Sequence, residues 1–187
     1  MPSSPKIPKE MILENALKML IRDGYESINI KSLAKEIGCS TQPISWHFGN
    51  MEGLRSALFD YARNYLIDKL FNIQENAMTS FLDLGLNYLN VAFDEPNLFK
   101  YIFMNSDSAY VTDDIKVFSD AGQNGVITEM ISNQLGISKE IASANVQDLT
   151  MYTHGLATYI ATGVVRISKE EAKGMLIRVG ASLFNLK

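Results

Sequence analysis

Apolar residues recur at helical spacing close to the start of the chain. Between Lys9 and Asp23 they stand three and four positions apart, and this pattern predicts one helix with a single buried face. Two adjacent rows form that face: Ile12, Ala16 and Leu20, and Leu13, Leu17 and Ile21. Gly24 comes directly afterwards and predicts the end of the helix, because glycine readily adopts the conformation that closes helices.

A second, shorter helix is predicted after a brief connection. Asn29 can cap its start, because the side-chain oxygen accepts a backbone N–H there. Gly38 permits a sharp turn at its end. The inner face of this helix carries Leu33, Ala34 and Ile37.

The turn leads into a third helix that closes on three aromatic rings. Ser40 is its predicted cap, and Gln42 and Pro43 occupy the first turn, where proline costs little because the early N–H groups have no intrahelical partner. The helix ends in Trp46-His47-Phe48. Residues 30–48 therefore have the layout of a helix-turn-helix, in which the second helix enters the major groove of DNA.

The remaining sequence continues at helical spacing, and we find no strand pattern in it. A long helix is predicted from Glu52 to about Ile73, with Asn105 to Tyr110 as a loop further on. Shorter helices are predicted over residues 80–93, 96–104, 112–135, 138–162 and 168–183. The fold class predicted for the whole chain is all-α.

Short motifs in the first sixty residues resemble the amino-terminal domain of TetR-family regulators. They are Gly24-Tyr25-Glu26, the segment from Leu33 to Gly38, Trp46-His47-Phe48 and Leu54. The resemblance implies a three-helix DNA-binding head with a helix-turn-helix in residues 1–50. It implies an all-helical ligand-binding and dimerisation body in residues 51–187. The family also implies a homodimer that binds two half-sites of a double-stranded DNA operator and is released when a small-molecule effector binds the body.

The resemblance assigns candidate DNA contacts to the second and third helices. Gln42 is the best candidate for reading a base, because a side-chain amide can pair with adenine through two hydrogen bonds. The residues expected to face the major groove are Thr41, Gln42, Ile44 and Ser45. Those expected to hold phosphates are Lys31, Ser32 and His47. For Trp46 the resemblance favours packing in the core of the head, against the first helix, over stacking on bases.

Two positions depart from the family pattern. Ser45 stands where many members carry tyrosine, and Met51 stands where many carry lysine; both family residues contact phosphates. Ser45 can still donate one hydrogen bond, whereas Met51 cannot replace a charge. For His47, a phosphate contact or a hinge role and simple packing between Trp46 and Phe48 are both open.

Residues 85–104 and 151–163 are loosely similar to the body of a TetR subgroup that carries a Trp-His-Gly motif. The corresponding residues here are Thr153-His154-Gly155. His154 can bond a ligand in a central cavity or serve as a core histidine bonded to a neighbour, and both interpretations are open. The candidate ligand-binding residues are Phe93, Tyr101, Met104, Phe118, Met151, Tyr152 and His154. Aromatic and Met residues in such a pattern more often form a plain core, because helices must bury them in any case. A cavity lined by them would take an apolar or aromatic compound.

Small residues are concentrated in the last two predicted helices and allow close packing between helices. They are Gly155, Ala157, Ala161, Gly163, Gly174, Gly180 and Ala181. The resemblance implies that the last two helices of each subunit pair into a four-helix bundle, so we interpret them as the dimer interface. Two heads that sit about one DNA turn apart agree with this. Packing within one subunit is the alternative.

The charge distribution favours DNA binding at the amino-terminal end only mildly. The chain has 17 basic and 21 acidic residues and a net charge of −4. Residues 1–50 carry six basic and five acidic residues, whereas residues 51–187 carry eleven and sixteen. The head is therefore expected to bind DNA with modest affinity and weak salt dependence, since it can neutralise few phosphates.

No pattern for catalysis or metal binding is present in the sequence. The only histidines, His47 and His154, lack ligand spacing, and there is neither a Gly-x-Ser-x-Gly motif nor a Gly-rich phosphate loop. We therefore expect no enzymatic activity, no metal and no cofactor. The lone cysteine, Cys39, excludes an internal disulfide. The absence of a long apolar run or a signal peptide predicts a cytoplasmic protein without a membrane partner.

These patterns together predict a homodimeric DNA-binding transcriptional regulator, with repression favoured over activation. Two alternatives remain at this point. One is an all-helical small-molecule-binding protein, and the other is a co-regulator that contacts another protein through its head. Met51 keeps the first alternative open, because it removes a charge from the expected phosphate contacts.

Overall fold

The structure is a computed structural model that describes residues 7–71, 77–104 and 122–185. All regular elements in these ranges are helical, which confirms the predicted all-α fold class. The α-helices within them are α1 (Lys9–Asp23), α2 (Ile30–Ile37), α3 (Gln42–Phe48), α4 (Met51–Leu70), α5 (Ala77–Asp94), α6 (Pro96–Phe103), α7 (Gly122–Leu135), α8 (Lys139–Ala161) and α9 (Lys169–Leu183). A short 3₁₀ helix, Tyr25–Ser27, joins α1 to α2.

Most helix ends lie where capping residues predict them. Gly24 closes α1 with φ 84°, and Gly38 closes α2 in the left-handed conformation. Asn29 Oδ1 accepts the backbone N–H groups of Lys31 and Ser32. Later in the chain, Ser138 caps α8, and a reciprocal capping box of Ser168 and Glu171 opens α9.

Two helix boundaries differ from the prediction. Thr41, not Ser40, precedes α3, and no side chain caps that helix. Helix α5 begins at Ala77, three residues before the predicted start. The end predicted for the long helix near Ile73, the loop from Asn105 to Tyr110 and the helix start near residue 112 fall at least partly outside the described residues.

The first compact unit, called the head unit here, comprises Met1–Asp68 and Glu95–Ser106. Helices α1 to α3 pack on one another, and α6 packs on α1. The Asn97 side chain on α6 donates a 3.1 Å hydrogen bond to the carbonyl of Ile21, at the end of α1. The fully buried core of this unit includes Ile12, Leu20, Leu33, Ile44, Leu54, Leu58, Leu98, Phe99 and Ile102.

The second compact unit, called the body unit here, comprises Lys69–Asp94 and Asp107–Lys187. Within it α5 packs on α7, α8 and α9, and α8 packs on α7 and α9. A Cβ atom at Gly85 would lie 2.9 Å from Leu176 Cδ2, so the absent side chain allows α5 and α9 to approach closely. Asn145 on α8 donates a 2.8 Å hydrogen bond to the carbonyl of Leu183 at the end of α9.

Candidate DNA-binding site

The predicted helix-turn-helix is present as α2, a glycine-initiated turn and α3. The turn is fixed by backbone hydrogen bonds from Gly38 and Cys39 to carbonyls in the last turn of α2. Gly38 has φ 77°, a conformation that a side chain would strain. The local geometry that presents α3 is therefore set by residues adjacent in sequence.

Burial of Ile44 determines which side of α3 faces outward. Its side chain is 0 % exposed, and α3 packs on α1 and α2. Burying an isoleucine contributes about 1.5–3 kcal/mol, which holds the rotation of this short helix about its axis. The prediction that Ile44 faces the major groove is wrong, because this apolar side chain is part of the core of the head unit.

The outward face of α3 carries Gln42, Ser45 and Trp46. All three side chains are exposed, and their spacing of three and four residues places them on one side of the helix. Thr41 is also exposed, directly before the helix. The structure thus presents together three of the four residues predicted to face the groove.

Trp46 does not pack in the core as predicted. Its side chain is 71 % exposed, and its ring lies at 4.9 Å from the His47 ring in an edge-on arrangement. The side of α3 that faces the core of the head unit is occupied by Ile44. The signal that could have placed Trp46 outside is its spacing to Gln42 and Ser45, which matches one helix face.

Ser32 and Lys31 on α2 were both predicted to contact phosphates. They differ in whether the side chain already forms hydrogen bonds within the protein. Ser32 donates its hydroxyl proton to the carbonyl of Ser27 or Asn29 and accepts the Asn29 N–H, so it stabilises the start of α2. Among the described residues, the exposed Lys31 forms no ion pair. The contacts that hold Ser32 are intramolecular, whereas the ammonium group of Lys31 faces solvent.

His47 is half-buried and belongs to the packing of the head unit. Its Nε2–H donates a 2.9 Å hydrogen bond to the carbonyl of Ile7, just before α1. This bond ties the end of α3 to the chain that enters α1. The sequence left a packing role for His47 open, but it did not indicate Ile7 as the hydrogen-bond partner.

Two cations of the head unit, Lys18 and Arg22, are paired with carboxylates of the same unit. Arg22 bonds the carboxylates of Asp23 and Glu36, with a distance of 2.9 Å from Nη1 to Glu36 Oε1. The Arg22 guanidinium holds the pKa of both carboxyls below their usual values, chiefly through these hydrogen bonds. Lys18 pairs with Glu14 at 2.8 Å. These cations are therefore less available to phosphates than their number suggests.

The predicted ligand-binding residues are divided between the two units. Tyr101 and Met104 belong to the head unit, where Tyr101 is 4 % exposed, stacks on Tyr25 at 4.9 Å and bonds the Arg55 carbonyl. This is a packed environment within the head, and burial raises the pKa of the Tyr101 phenol. Phe118 lies outside the described residues.

The other four members of that set, Phe93, Met151, Tyr152 and His154, belong to the body unit. His154 Nδ1 and Tyr88 Oη are joined by a 2.7 Å hydrogen bond. Burial lowers the pKa of the His154 imidazole and raises that of the Tyr88 phenol, so both groups are held neutral. Tyr88 was not among the predicted site residues.

A polar surface cleft of about 160 Å³ also lies in the body unit. It is lined by Lys69, Asn87, Asn90, Val91 and Asp94, none of which belongs to the predicted ligand set. Among the described residues there is no group of three or more potential metal ligands. No helix in the described ranges is long and apolar enough to cross a membrane.

Comparison with known protein families identifies the amino-terminal domain. Residues 12–58, from α1 into α4, match the family of bacterial regulatory proteins described as the tetR family. This match lies within the head unit and is limited to the residues named. The matched residues include the helix-turn-helix formed by α2 and α3. No curated protein sequence matches the chain.

Solved structures extend the likeness from this TetR-family domain to the whole fold. A variant of TetR from Acinetobacter baumannii AYE, crystallised with minocycline, has a TM-score of 0.59 at 15% identity, covering 96% of each chain. ActR, a TetR family protein from Streptomyces coelicolor, crystallised with (S)-DNPA, has a TM-score of 0.57 at 13% identity, covering 97% of this chain and 99% of ActR. The chain thus shares the fold of these two proteins over nearly its whole length. Its similarity to the Trp-His-Gly subgroup stays a prediction.

Proposed function

We propose that this protein is a homodimeric transcriptional regulator that binds a DNA operator and leaves it when a small apolar or aromatic ligand binds. In this proposal residues 1–50 read DNA, and residues 51–187 hold the ligand and the dimer interface. Repression is favoured over activation. The protein acts in the cytoplasm as a binding protein and not as an enzyme.

The observation that carries the DNA-binding part is the outward face of α3 within a TetR-family domain. Gln42 and Ser45 are exposed side by side on this face, while Ile44 anchors the opposite face. A side-chain amide and a hydroxyl can both hydrogen-bond base edges in the major groove. Lys31, at the start of α2, supplies a cation for a phosphate.

The ligand-binding part is supported by the hydrogen-bonded pair of Tyr88 and His154 in the body unit. Two polar groups held neutral among apolar helices can orient a ligand that is otherwise apolar. Phe93, Met151 and Tyr152 are the predicted apolar members of the same unit. The TetR variant and ActR, which share this fold, were crystallised with small molecules, and this agrees with the proposal.

The first test is fluorescence anisotropy of labelled DNA taken from directly upstream of the gene. Binding is compared with a scrambled duplex at about 50 and 200 mM salt. The double variant Gln42→Ala/Ser45→Ala should weaken binding about tenfold to a hundredfold, because it removes base-edge hydrogen bonds. Adding candidate apolar ligands to the preformed complex then tests release.

The matched control is Gln134→Ala/Ser182→Ala, which removes an exposed glutamine and an exposed serine from the body unit. This variant should bind DNA like the wild type. If the wild type prefers no duplex, including any enriched from a randomised library, the proposed function is wrong. A carrier or co-regulator would then be the better interpretation.

A further inference from the structure

We propose that Arg22 is a positioning residue for DNA binding: by bonding Asp23 and Glu36 it joins the end of α1 to the end of α2 and so fixes the turn that leads into α3. These three residues are called the Arg22 cluster here. The proposal rests on the proposed function, because it explains how the same DNA-binding face is held. None of the three residues was among the predicted site residues.

One guanidinium group holds both carboxylates of the Arg22 cluster. Arg22 Nε donates to both oxygens of Asp23, at 3.0 and 2.9 Å, and Nη2 lies 2.7 Å from Asp23 Oδ2. On the other edge of the group, Nη1 donates to Glu36 Oε1 at 2.9 Å and Nη2 to Oε2 at 3.3 Å. Such paired hydrogen bonds fix the direction as well as the distance between the partners, which a single ammonium group does not do.

The arginine side of the cluster is anchored to the rest of the head unit. Arg22 and Asp23 occupy the last turn of α1, so Asp23 orients the guanidinium from within the same helix. The Asn97 side chain on α6 donates to the carbonyl of Ile21, so the backbone next to Arg22 is held as well. The guanidinium therefore presents its other edge to α2 in a defined direction.

The bond to Glu36 holds the part of α2 that lies beyond its buried contacts. This helix has eight residues, and the two that are buried, Leu33 and Ala34, lie near its middle. Ser32 bonds the carbonyl of Ser27 and holds the start. Glu36 is the second-last residue of the helix. Because a helix held at its start and middle can still tilt at its end, a bond at Glu36 limits that tilt.

The end of α2 in turn sets where α3 begins. The backbone N–H groups of Gly38 and Cys39 donate to the carbonyls of Lys35 and Ala34, at 3.2 and 2.9 Å. The turn is thus attached to the last turn of α2, and α3 starts at Gln42, three residues after Cys39. A displacement of the end of α2 therefore moves the start of the helix proposed to read DNA.

The charge of the Arg22 cluster makes the proposal testable by the sign of an effect. One cation and two anions give the cluster a net charge of −1. Negative charge on a DNA-binding unit repels phosphates, so charge alone predicts that removing the Glu36 carboxylate tightens DNA binding. A positioning role predicts the opposite, because the same change breaks the link between α1 and α2.

The experiment measures the affinity of full-length Glu36→Gln, by fluorescence anisotropy, for the duplex that the wild type enriches from a randomised library. Glutamine keeps the size of the side chain and removes its charge. Binding should weaken about threefold, a size typical of an exposed ion pair. The matched control is Glu26→Gln, at an exposed acid of the same unit that forms no ion pair within the described ranges. It should bind as tightly as the wild type or more tightly.

A charge swap tests whether the pair itself matters. Arg22→Gln removes both the link and a cation, so it should weaken binding more than Glu36→Gln does. The double variant Arg22→Glu/Glu36→Arg has the net charge of the wild type and can form the pair in reverse. It should recover most of the affinity that Arg22→Gln loses. A swapped protein that folds but binds no better than Arg22→Gln would overturn the proposal.

Amide hydrogen exchange of the DNA-free protein measures the positioning directly. In Glu36→Gln the amides of Gly38 and Cys39 should exchange faster than in the wild type, because the turn that they close is less constrained. The amide of Leu17, inside α1, should exchange at the wild-type rate, which separates a local change from a loss of global stability. Unchanged exchange at both turn amides would overturn the proposal.

The outcome for Glu36→Gln is judged apart from the proposed function. A wild type that binds its duplex, together with a Glu36→Gln variant that binds equally or more tightly, rejects this inference alone. The proposed function depends on whether the wild type prefers any duplex. A wild type that binds no DNA rejects both.

Discussion

At the scale of single residues, the hydrogen-bonding partners decide what each polar side chain can do. Ser32 illustrates this, because the structure commits its hydroxyl to the start of α2 while its neighbour Lys31 remains exposed. His154 is the corresponding case in the body unit, where its imidazole bonds Tyr88 and burial lowers its pKa. The sequence indicated that His154 was of interest, but it did not name the partner.

The lowered pKa of His154 predicts a pH dependence of stability. In the unfolded chain the pKa of a histidine is near 6.5. Between that pH and the lower pKa of His154 in the folded protein, the unfolded state binds a proton and the folded state does not. The contribution of His154 is therefore fully present above about pH 6.5 and is lost as the pH falls through its lower folded pKa. The urea midpoint of the wild type should fall over this acidic range.

The matched variant is His154→Gln, which can still accept a hydrogen bond from Tyr88 but does not titrate. Urea unfolding followed by circular dichroism between about pH 7.5 and 5.5 should show a smaller fall for this variant than for the wild type. Equal falls in the two proteins would show that His154 does not couple protonation to folding.

At the scale of elements, close backbone approaches fix how the helices join. A Cβ atom at Gly53, in the first turn of α4, would overlap the carbonyl oxygen of Phe48 at the end of α3. Such an overlap with backbone cannot be relieved by rotating a side chain. Gly53 therefore sets the angle at which α3 meets α4, and no pattern in the sequence indicated this role.

Gly53→Ala should destabilise the protein by about 3 kcal/mol and weaken DNA binding, because α3 must shift to accommodate the methyl group. Chemical unfolding and anisotropy on the same preparations measure both effects. The control is Ser56→Ala, at an exposed position of the same helix. That variant should be neutral or slightly stabilising, since alanine has a higher helix propensity than serine. Equal stabilities would contradict the close approach.

At the scale of the whole molecule, the compact units do not follow the order of the chain. Helix α6 belongs to the head unit, where Asn97 and Tyr101 contact α1, the 3₁₀ turn and α4, although α5 precedes it in sequence and belongs to the body unit. The boundary predicted at residue 50 separates a DNA-binding part from a ligand-binding and dimerisation part. The two compact units are instead groups of residues that contact one another. Each unit has its own buried core.

The proposed dimer gives a prediction at this scale. Tyr159 is exposed on α8 one helical turn after Gly155, and Ile177 is exposed on α9. Because Gly155 faces open space in the described part of one subunit, Gly155→Arg should leave the fold intact and abolish the proposed dimer. Sedimentation velocity should change from dimer to monomer, with wild-type circular dichroism.

The control for this variant is Val126→Arg, which places the same charge on an exposed position of α7, outside the two helices proposed to pair. Its sedimentation should match that of the wild type. A wild type that is monomeric at all concentrations, or a dimer that persists in Gly155→Arg, would contradict the assignment of the interface to α8 and α9.

The sequence by itself determined the helices, most of their ends and the helix-turn-helix. These features depend on interactions within a few residues, namely apolar spacing, capping side chains such as Asn29 and Ser168, and glycines such as Gly24 and Gly38. These interactions join residues that are close in sequence, so they can be predicted from the order of residues along the chain.

Only the tertiary structure decided which side of α3 is buried, the membership of α6 in the head unit and the pairing of Tyr88 with His154. In the seven residues of α3, the apolar Ile44, Trp46 and Phe48 alternate, so helical spacing does not select one face. Selection came from α1 and α2, which enclose Ile44 and leave Trp46 outside. Which helix face is buried depends on contacts between residues distant in sequence. The hydrophobic effect is not directional, so the local sequence pattern alone does not specify which apolar side chain is buried.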